Sequence, residues 1–201
     1  MTGRPTGRRP GISGSRAEIL RSARERFAAD GFDRATIRGI ARDAGVDPAL
    51  VHHFFGTKDA LFAAAMELPI NPAAAIPPLL AAGVDGLGER LLRFYLALWE
   101  SDAAPTMLTV LRSAVSQERA ADLLRSFLGR EVIGRLAGEL RADAPELRAT
   151  LVGSQLVGLA LVRYIIRIEP LCSASLEQVV AAAAPTIQRY LTADLGTLPR
   201  L

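Results

Sequence analysis

A single cysteine, Cys172, stands in a chain of 201 residues, so an internal disulfide framework is impossible and a secreted, disulfide-built scaffold is excluded. Aromatic residues make up only 5% of the chain and long alternating β-branched runs are missing, which leaves little material for sheets. The opening stretch MTGRPTGRRPGISGSR lacks the apolar segment of a signal peptide, and a cytosolic location is expected. The most apolar long stretch, Leu151 to Ile168, is interrupted by Gln155, Arg163 and Arg167. It suits a buried or interfacial helix better than a membrane span, and no membrane partner is expected. No internal repeat and no Gly-rich phosphate loop is found.

Histidine is equally scarce. His52 and His53 are the whole complement, and neighbouring helix positions diverge by about 100°, so the two rings cannot converge on one ion. Cys172 is remote from both. No nucleophile stands in a recognisable arrangement with a base, and the acids occupy ordinary polar positions of helices. Neither an enzyme nor a metal or other cofactor is expected.

What is present points one way. Half of the residues are hydrophobic, with alanine, leucine and arginine prominent, the composition of a folded, helical chain. The net charge of +3 is unevenly placed. Residues 1–60 hold ten arginines and Lys58 against seven acids, a balance of +4, and the remainder holds thirteen arginines against fourteen acids, a balance of −1. One basic end suits docking on a polyanion.

Residues 1–14 read as a flexible basic arm. A first helix is expected from Ser15, capped by its hydroxyl with Glu18 completing a capping box, and stopped at Gly31. Thr36 caps a short helix with Ile37, Ile40, Ala41 and Ala44 turned inward. Gly45 supplies a left-handed exit, and Asp47-Pro48 opens a second short helix anchored by Val51 and Phe55. Gly56 ends it and Thr57 opens another. Two short helices joined by Ala44-Gly45-Val46-Asp47 have the lengths of a helix-turn-helix. Further helices are expected over 73–81, 85–99, 105–115, 120–140 with an interruption near Gly129–Gly134, 145–168 and 175–191. The fold class is all-α, with a DNA-binding domain over 15–60 and a helical ligand-binding and dimerisation domain over 61–201.

The stretch TIRGIARDAGVDPALVHHFFGTKDAL, from Thr36 to Leu61, together with RAEILRSARERFAADGFDRAT before it, resembles the TetR family of bacterial regulators. LLRFYLALWE, LLRSFL, SQLVGLALVRYIIRIEPL and APTIQRYL resemble an actinobacterial-type body of that family. The resemblance implies a nine- or ten-helix fold, a homodimer built mainly from the last two long helices, a small-molecule pocket in the body, and repression of nearby genes. This sequence departs from the family at His52, where tyrosine is usual, and at Phe54, where histidine is common.

With Val51 and Phe55 anchored inward, Pro48, Ala49, His52 and His53 lie near the opposite side of their helix, with Leu50 at its edge. Ala49 and Leu50 offer apolar contacts such as a thymine methyl, and the histidines offer hydrogen bonds to phosphate or base. Arg38 and Arg42 on the preceding helix are candidates for phosphate or base contacts. Thr36 and Lys58 are candidates for phosphates, and Arg4, Arg8 and Arg9 for an adjacent groove. In the body, Phe94, Tyr95, Leu98, Trp99, Met107, Leu111, Arg112, Phe127, Gln155 and Tyr164 are the candidate lining of a pocket for a largely apolar organic ligand. Arg112 and Arg163 sit among apolar residues and need partners, whether Glu100, Glu118 and Glu169 or an anionic ligand. Leu151, Leu156, Leu159, Val162, Ile166, Val180, Ala183 and Ile187 are the candidate dimer surface, with Gly153, Ser154 and Gly158 allowing close approach. The expected partners are therefore an operator duplex, a second copy and a small organic ligand. An activator, a regulator without a ligand, and a helical interaction module that no longer binds DNA remain the alternatives.

Overall fold

The computed structural model describes residues 12–68 and 70–196, apart from the side chains of residues 12–14, 73 and 119. Arg4, Arg8 and Arg9 lie outside the described residues. Every regular element within them is helical: α1 Ile12–Arg34, α2 Ile37–Asp43, α3 Pro48–Phe55, α4 Lys58–Ala65, α5 Pro72–Leu80, α6 Leu87–Trp99, α7 Ala104–Ser116, α8 Glu118–Leu128, α9 Arg135–Glu139, α10 Pro145–Ala160 and α11 Leu176–Thr192. Wide π turns over Gly129–Gly134 and Leu161–Ile166 join α8 to α9 and extend α10. Counting α8 through α9 as one rod gives ten helices, within the expected nine or ten. The chain divides into two compact units, residues 1–68 and 69–201.

In the first unit, α1 packs on α2 and α4, and α3 packs on both α2 and α4. Ile19, Ala23, Phe27, Ile40, Ala41, Val51, Leu61 and Phe62 are fully buried. The rings of Phe27, Phe32 and Phe62 form a triangle with centroids 5.0–5.8 Å apart, two of the three pairs edge-on, the arrangement that ring quadrupoles favour. Spacing alone places a domain boundary after residue 60. Leu61 and Phe62 instead complete this small core, so all of α4 belongs with the first unit. Arg24 fastens the far end of α4, donating from Nε to the Ala65 carbonyl at 2.6 Å.

Ser15 does not cap α1. The helix already runs from Ile12, which places Ser15 within it. A side-chain cap needs an extended backbone at its own position, and the helix upstream removes that. Gly31 does break the helical path, at φ 77° and ψ 169°, before a last turn to Arg34.

In the second unit, α6, α9, α10 and α11 enclose a core that includes Leu87, Leu92, Leu96, Ala149, Val152, Val180, Ile187 and Leu191. Ser175 and Gln178 form a complete capping box at the start of α11, so that helix begins where its sequence signal stands. α6 and α11 cross closely at Gly88. A Cβ on Gly88 would come within 2.6 Å of the Gln188 nitrogen and 2.9 Å of the Ala184 carbonyl oxygen. Both obstacles are backbone and neither can rotate away. Gly88→Ala should therefore destabilise the fold by about 1–3 kcal/mol, read as a lower urea midpoint with an unchanged slope.

Pro145–Ile166 is, by length and composition, the one described helix able to cross a membrane. It packs on α6, α9 and α11. Both of its arginines, Arg148 and Arg163, are buried and hydrogen-bonded within the body.

Candidate nucleic-acid interface and body sites

The turn between α2 and α3 is built by capping. Thr36 accepts from the Gly39 N–H at 3.1 Å and Asp47 accepts from the Ala49 N–H at 2.7 Å, each satisfying a donor that an isolated helix start leaves open. Gly45 turns the chain at φ +65°, and its N–H and that of Val46 return to the Arg42 and Ala41 carbonyls at 3.1 and 2.9 Å. A residue with a Cβ would be strained there. Val51, fully buried, fixes the roll of α3.

That roll leaves Ala49, His52 and His53 exposed, with Pro48 and Leu50 half-buried at the edge, beside exposed Thr36, Arg38 and Arg42. Eight of the expected residues on α2, α3 and their caps are thus exposed or half-buried. The Arg42 side chain is 76% exposed, its nearest acid oxygen being Asp43 Oδ1 at 3.8 Å. Arg26 takes up Asp43 with Nε at 2.8 Å and also bonds Asp30. Acids near α2 are thereby engaged from the α1 side.

Lys58 has a second occupation. Its Nζ donates to the Asp33 carbonyl at 3.1 Å and lies 4.6 Å from the Phe32 ring centroid. Burial lowers its pKa, opposed by the charge of Asp59. It can still present a donor to a phosphate, but it also ties α4 to the end of α1.

His52 is oriented by the backbone. Its Nδ1 lies 2.9 Å from the Gly56 carbonyl oxygen. A carbonyl only accepts, so Nδ1 carries the proton there. In the neutral ring Nε2 is then an acceptor, and it becomes a donor only on protonation.

In the body, the ten expected ligand-pocket residues have different fates. Phe127 is fully buried and Trp99 nearly so, Phe94, Tyr95, Leu98, Met107, Leu111, Gln155 and Tyr164 are half-buried, and Arg112 is exposed rather than surrounded by apolar side chains. Its apolar neighbours in sequence suggested an enclosed cation, but on α7 it faces solvent. Trp99 and Tyr164 come together as a parallel stack, 5.8 Å between centroids at 4°, with Tyr95 edge-on to Trp99 at 6.4 Å. The Tyr164 hydroxyl donates to Glu100 Oε1 at 2.9 Å. Burial raises the Tyr164 pKa, with Arg163 opposing and the bond to Glu100 assisting, which keeps the phenol a donor. Arg163 does pair with Glu100, at 3.8 Å.

A groove of about 360 Å³ between α6 and α11 is lined by Glu89, Arg93, Glu177, Val180, Ala184 and Gln188 among others, and by none of those ten residues. Arg93 spans it, bound to Glu177 at 2.6 Å and Glu89 at 2.7 Å. These carboxylates, Glu177 foremost, hold the guanidinium pKa above its ordinary value.

Of the expected dimer residues, Val180 and Ile187 are buried in the chain's own core. Leu151, Leu156, Leu159, Val162 and Ala183 are half-buried, and Ile166 is exposed. Val157, Leu161 and Ile168, outside that expected set, are 40–51% exposed. The nearby Ser154 and Gly158 signalled a closely approached helix, but which side of α10 faces outward depends on how α6 and α11 cover it.

Residues 85–191 match the tetracyclin repressor-like C-terminal domain, and residues 19–65 match the bacterial regulatory proteins of the tetR family. A TetR-family regulator of Streptomyces coelicolor with a solved structure is 39% identical, covering 92% of this chain and 98% of its own at a TM-score of 0.47. A helix-turn-helix-type transcriptional repressor of Mycobacterium tuberculosis is 28% identical over 142 residues, 67% of this chain and 73% of that protein. The fatty acid degradation regulator FadR of Bacillus halodurans is 15% identical, covers 86% of this chain and 97% of its own at a TM-score of 0.50, and shares the fold alone. Regulators of this kind are cytoplasmic, non-catalytic DNA-binding proteins that generally dimerise and respond to small ligands. With both its reading head and its body matched, the chain belongs to the TetR family of bacterial transcriptional regulators.

Proposed function

We propose that the chain is a dimeric repressor that holds a palindromic operator and is released from it by a small, largely apolar organic ligand. The observation that carries this reading is the exposure of Arg38 and Arg42 on α2 together with the small and imidazole side chains of α3, while Val51 is buried. A helix bearing Ala49, His52 and His53 outward enters a major groove without steric obstruction. Arg38, Arg42, Thr36 and Lys58 then meet phosphates, and Leu50, Ala49 and His53 meet base edges. The Thr36 oxygen accepts within its own cap, which leaves its hydroxyl proton for a phosphate. Pairing through the exposed aliphatic side of α10 would present two copies of α3 about 34–36 Å apart. The repressive role is supported by the mycobacterial relative, itself a repressor. The same relative and the Streptomyces regulator support an actinobacterial-type body.

Selection of bound duplexes from a random pool, followed by footprinting, tests the reading. The expected result is a palindrome protected on two half-sites about one turn apart, with affinity falling steeply as salt rises. A chain that leaves every duplex unbound at low salt overturns it.

His52 adds a contact whose loss can be measured. With its Nδ1 turned to the Gly56 carbonyl, the rest of the ring faces outward from α3. His52→Ala should weaken operator binding by roughly tenfold, the size of one lost hydrogen bond, read by fluorescence anisotropy of a labelled operator, and an unchanged affinity places His52 outside the interface.

A further inference from the structure

We propose that the corner formed by Trp99, Arg163 and Tyr164 binds a small aryl carboxylic acid, its carboxylate seated on the Nε–Nη2 edge of Arg163 and its ring against the Trp99–Tyr164 pair. The proposal deepens the ligand-responsive reading above and rests on it.

Arg163 is only 8% exposed, yet its guanidinium is incompletely bonded. Nη1 donates to the Leu171 carbonyl at 2.6 Å. Nη2 stands 3.8 Å from Glu100 Oε1, close enough for charge attraction and too far for a hydrogen bond. Nε is buried without an acceptor among the described residues. Nε and Nη2 form one side of the guanidinium fork, the side that takes a carboxylate with two parallel bonds. On that side Nε has no hydrogen-bond partner among the described residues, and the guanidinium otherwise meets only Glu100 at 3.8 Å and the neighbouring Tyr164. Glu100 does not fill that side, because its Oε1 accepts from the Tyr164 hydroxyl at 2.9 Å.

A second donor without an acceptor stands in the same cluster. The Trp99 indole N–H is buried, with the residue 6% exposed, and has no hydrogen-bond partner among the described residues. Its ring stacks on Tyr164, and the Arg163 guanidinium carbon lies 5.3 Å from the centroid of that same Tyr164 ring. A buried N–H left unmet is costly, and one such group needs an explanation. Both groups, a cation and an indole, lie against the same Tyr164 ring. A carboxylate meets the guanidinium edge, and the indole N–H adds a second polar group to the same corner. The flat apolar walls of Trp99, Tyr164 and Tyr95 select an aromatic body over a sugar or a peptide.

Trp99 is the only tryptophan of the chain, so its fluorescence reports on this corner directly. The full-length protein is titrated with phenylacetate and, as a neutral isostere, phenylacetamide. The expected result is a saturable change in Trp99 emission with the acid bound about tenfold more tightly than the amide. Arg163→Gln should reduce that preference to near unity. Because Arg163 is buried and its loss can unfold the body, Glu100→Gln serves as the second variant at an exposed position. Removing the competing carboxylate should tighten the acid and leave the amide unchanged. Equal affinity for the two compounds, no saturable change with either, or an acid preference untouched by Glu100→Gln overturns the proposal. Displacement of labelled operator separates it from the reading beneath it. Acid binding without displacement keeps the site and removes ligand release, and displacement by neutral apolar compounds with no acid preference keeps release and removes the site.

Discussion

Arg148→Ala should cost the helical body about 3–5 kcal/mol, the range for removing one partner of a buried ionic network. A loss of that size lowers the melting temperature by roughly 10 °C in a domain of this class. Among the described residues, Arg148 is the largest fully buried side chain, at 1% exposure. Its Nε donates to the Asp143 carbonyl at 2.7 Å, and its Nη2 donates to the Asp143 carboxylate. Its Nη1 donates to the Tyr190 and Ala193 carbonyls, both at 2.9 Å. One guanidinium therefore joins the loop before α10 to the last turn of α11. Those carbonyls end a helix, where the macrodipole is negative and the intrahelical donors have run out. Three variants separate the contributions in urea melts. Arg148→Met keeps most of the volume and none of the bonds, and should lose nearly as much as alanine. Arg148→Lys keeps the charge on a single point and cannot span both partners, so it should fall between. Near-native stability of the methionine variant would assign the effect to packing alone.

The sequence shows the locally determined parts of this fold plainly. Thr36, Asp47, Thr57 and Ser175 are caps in the structure, because capping is decided within three residues of chain. Gly45 and Gly56 both stand at positive φ, for the same short-range reason. Ser15 shows the limit of that reasoning: a cap motif acts only if the chain before it is not already helical, and here it is. On α3 two inward anchors were expected, and Val51 is buried while Phe55 is only half-buried, yet that suffices to leave Ala49, His52 and His53 exposed as the spacing indicates. In the body the same logic fails. α10 and α11 are apolar on several sides, so periodicity names their hydrophobic residues without saying which meet the core and which meet a partner. Val180 and Ile187 were expected at a partner's surface and are interior, while Val157 and Leu161, outside that expected set, are 40% exposed. Arg148 gave no local signal at all, since its partners Tyr190 and Ala193 lie more than forty positions away.

Charging the outward side of α10 should abolish operator binding while leaving each protomer folded. Val157 and Leu161 are four positions apart on this helix, each 40% exposed, so glutamates there project toward water in the isolated chain. If the proposed pairing runs through this side of α10, the double variant Val157→Glu, Leu161→Glu brings four like charges into a desolvated surface. Sedimentation should show a monomer. Affinity for the full palindrome should fall by about 10²–10⁴-fold, because the second reading head is no longer delivered at high effective concentration by the first. Affinity for a single half-site should be unchanged, which separates loss of pairing from damage to α2–α3. Val180→Glu supplies the contrast: that side chain is 2% exposed inside the core, so its substitution should unfold the body rather than split a dimer. If the double variant still sediments as a dimer and binds the palindrome within a few-fold of the parent, the pairing surface lies elsewhere, and the half-buried row of Leu151, Leu159 and Val162 becomes the next surface to charge.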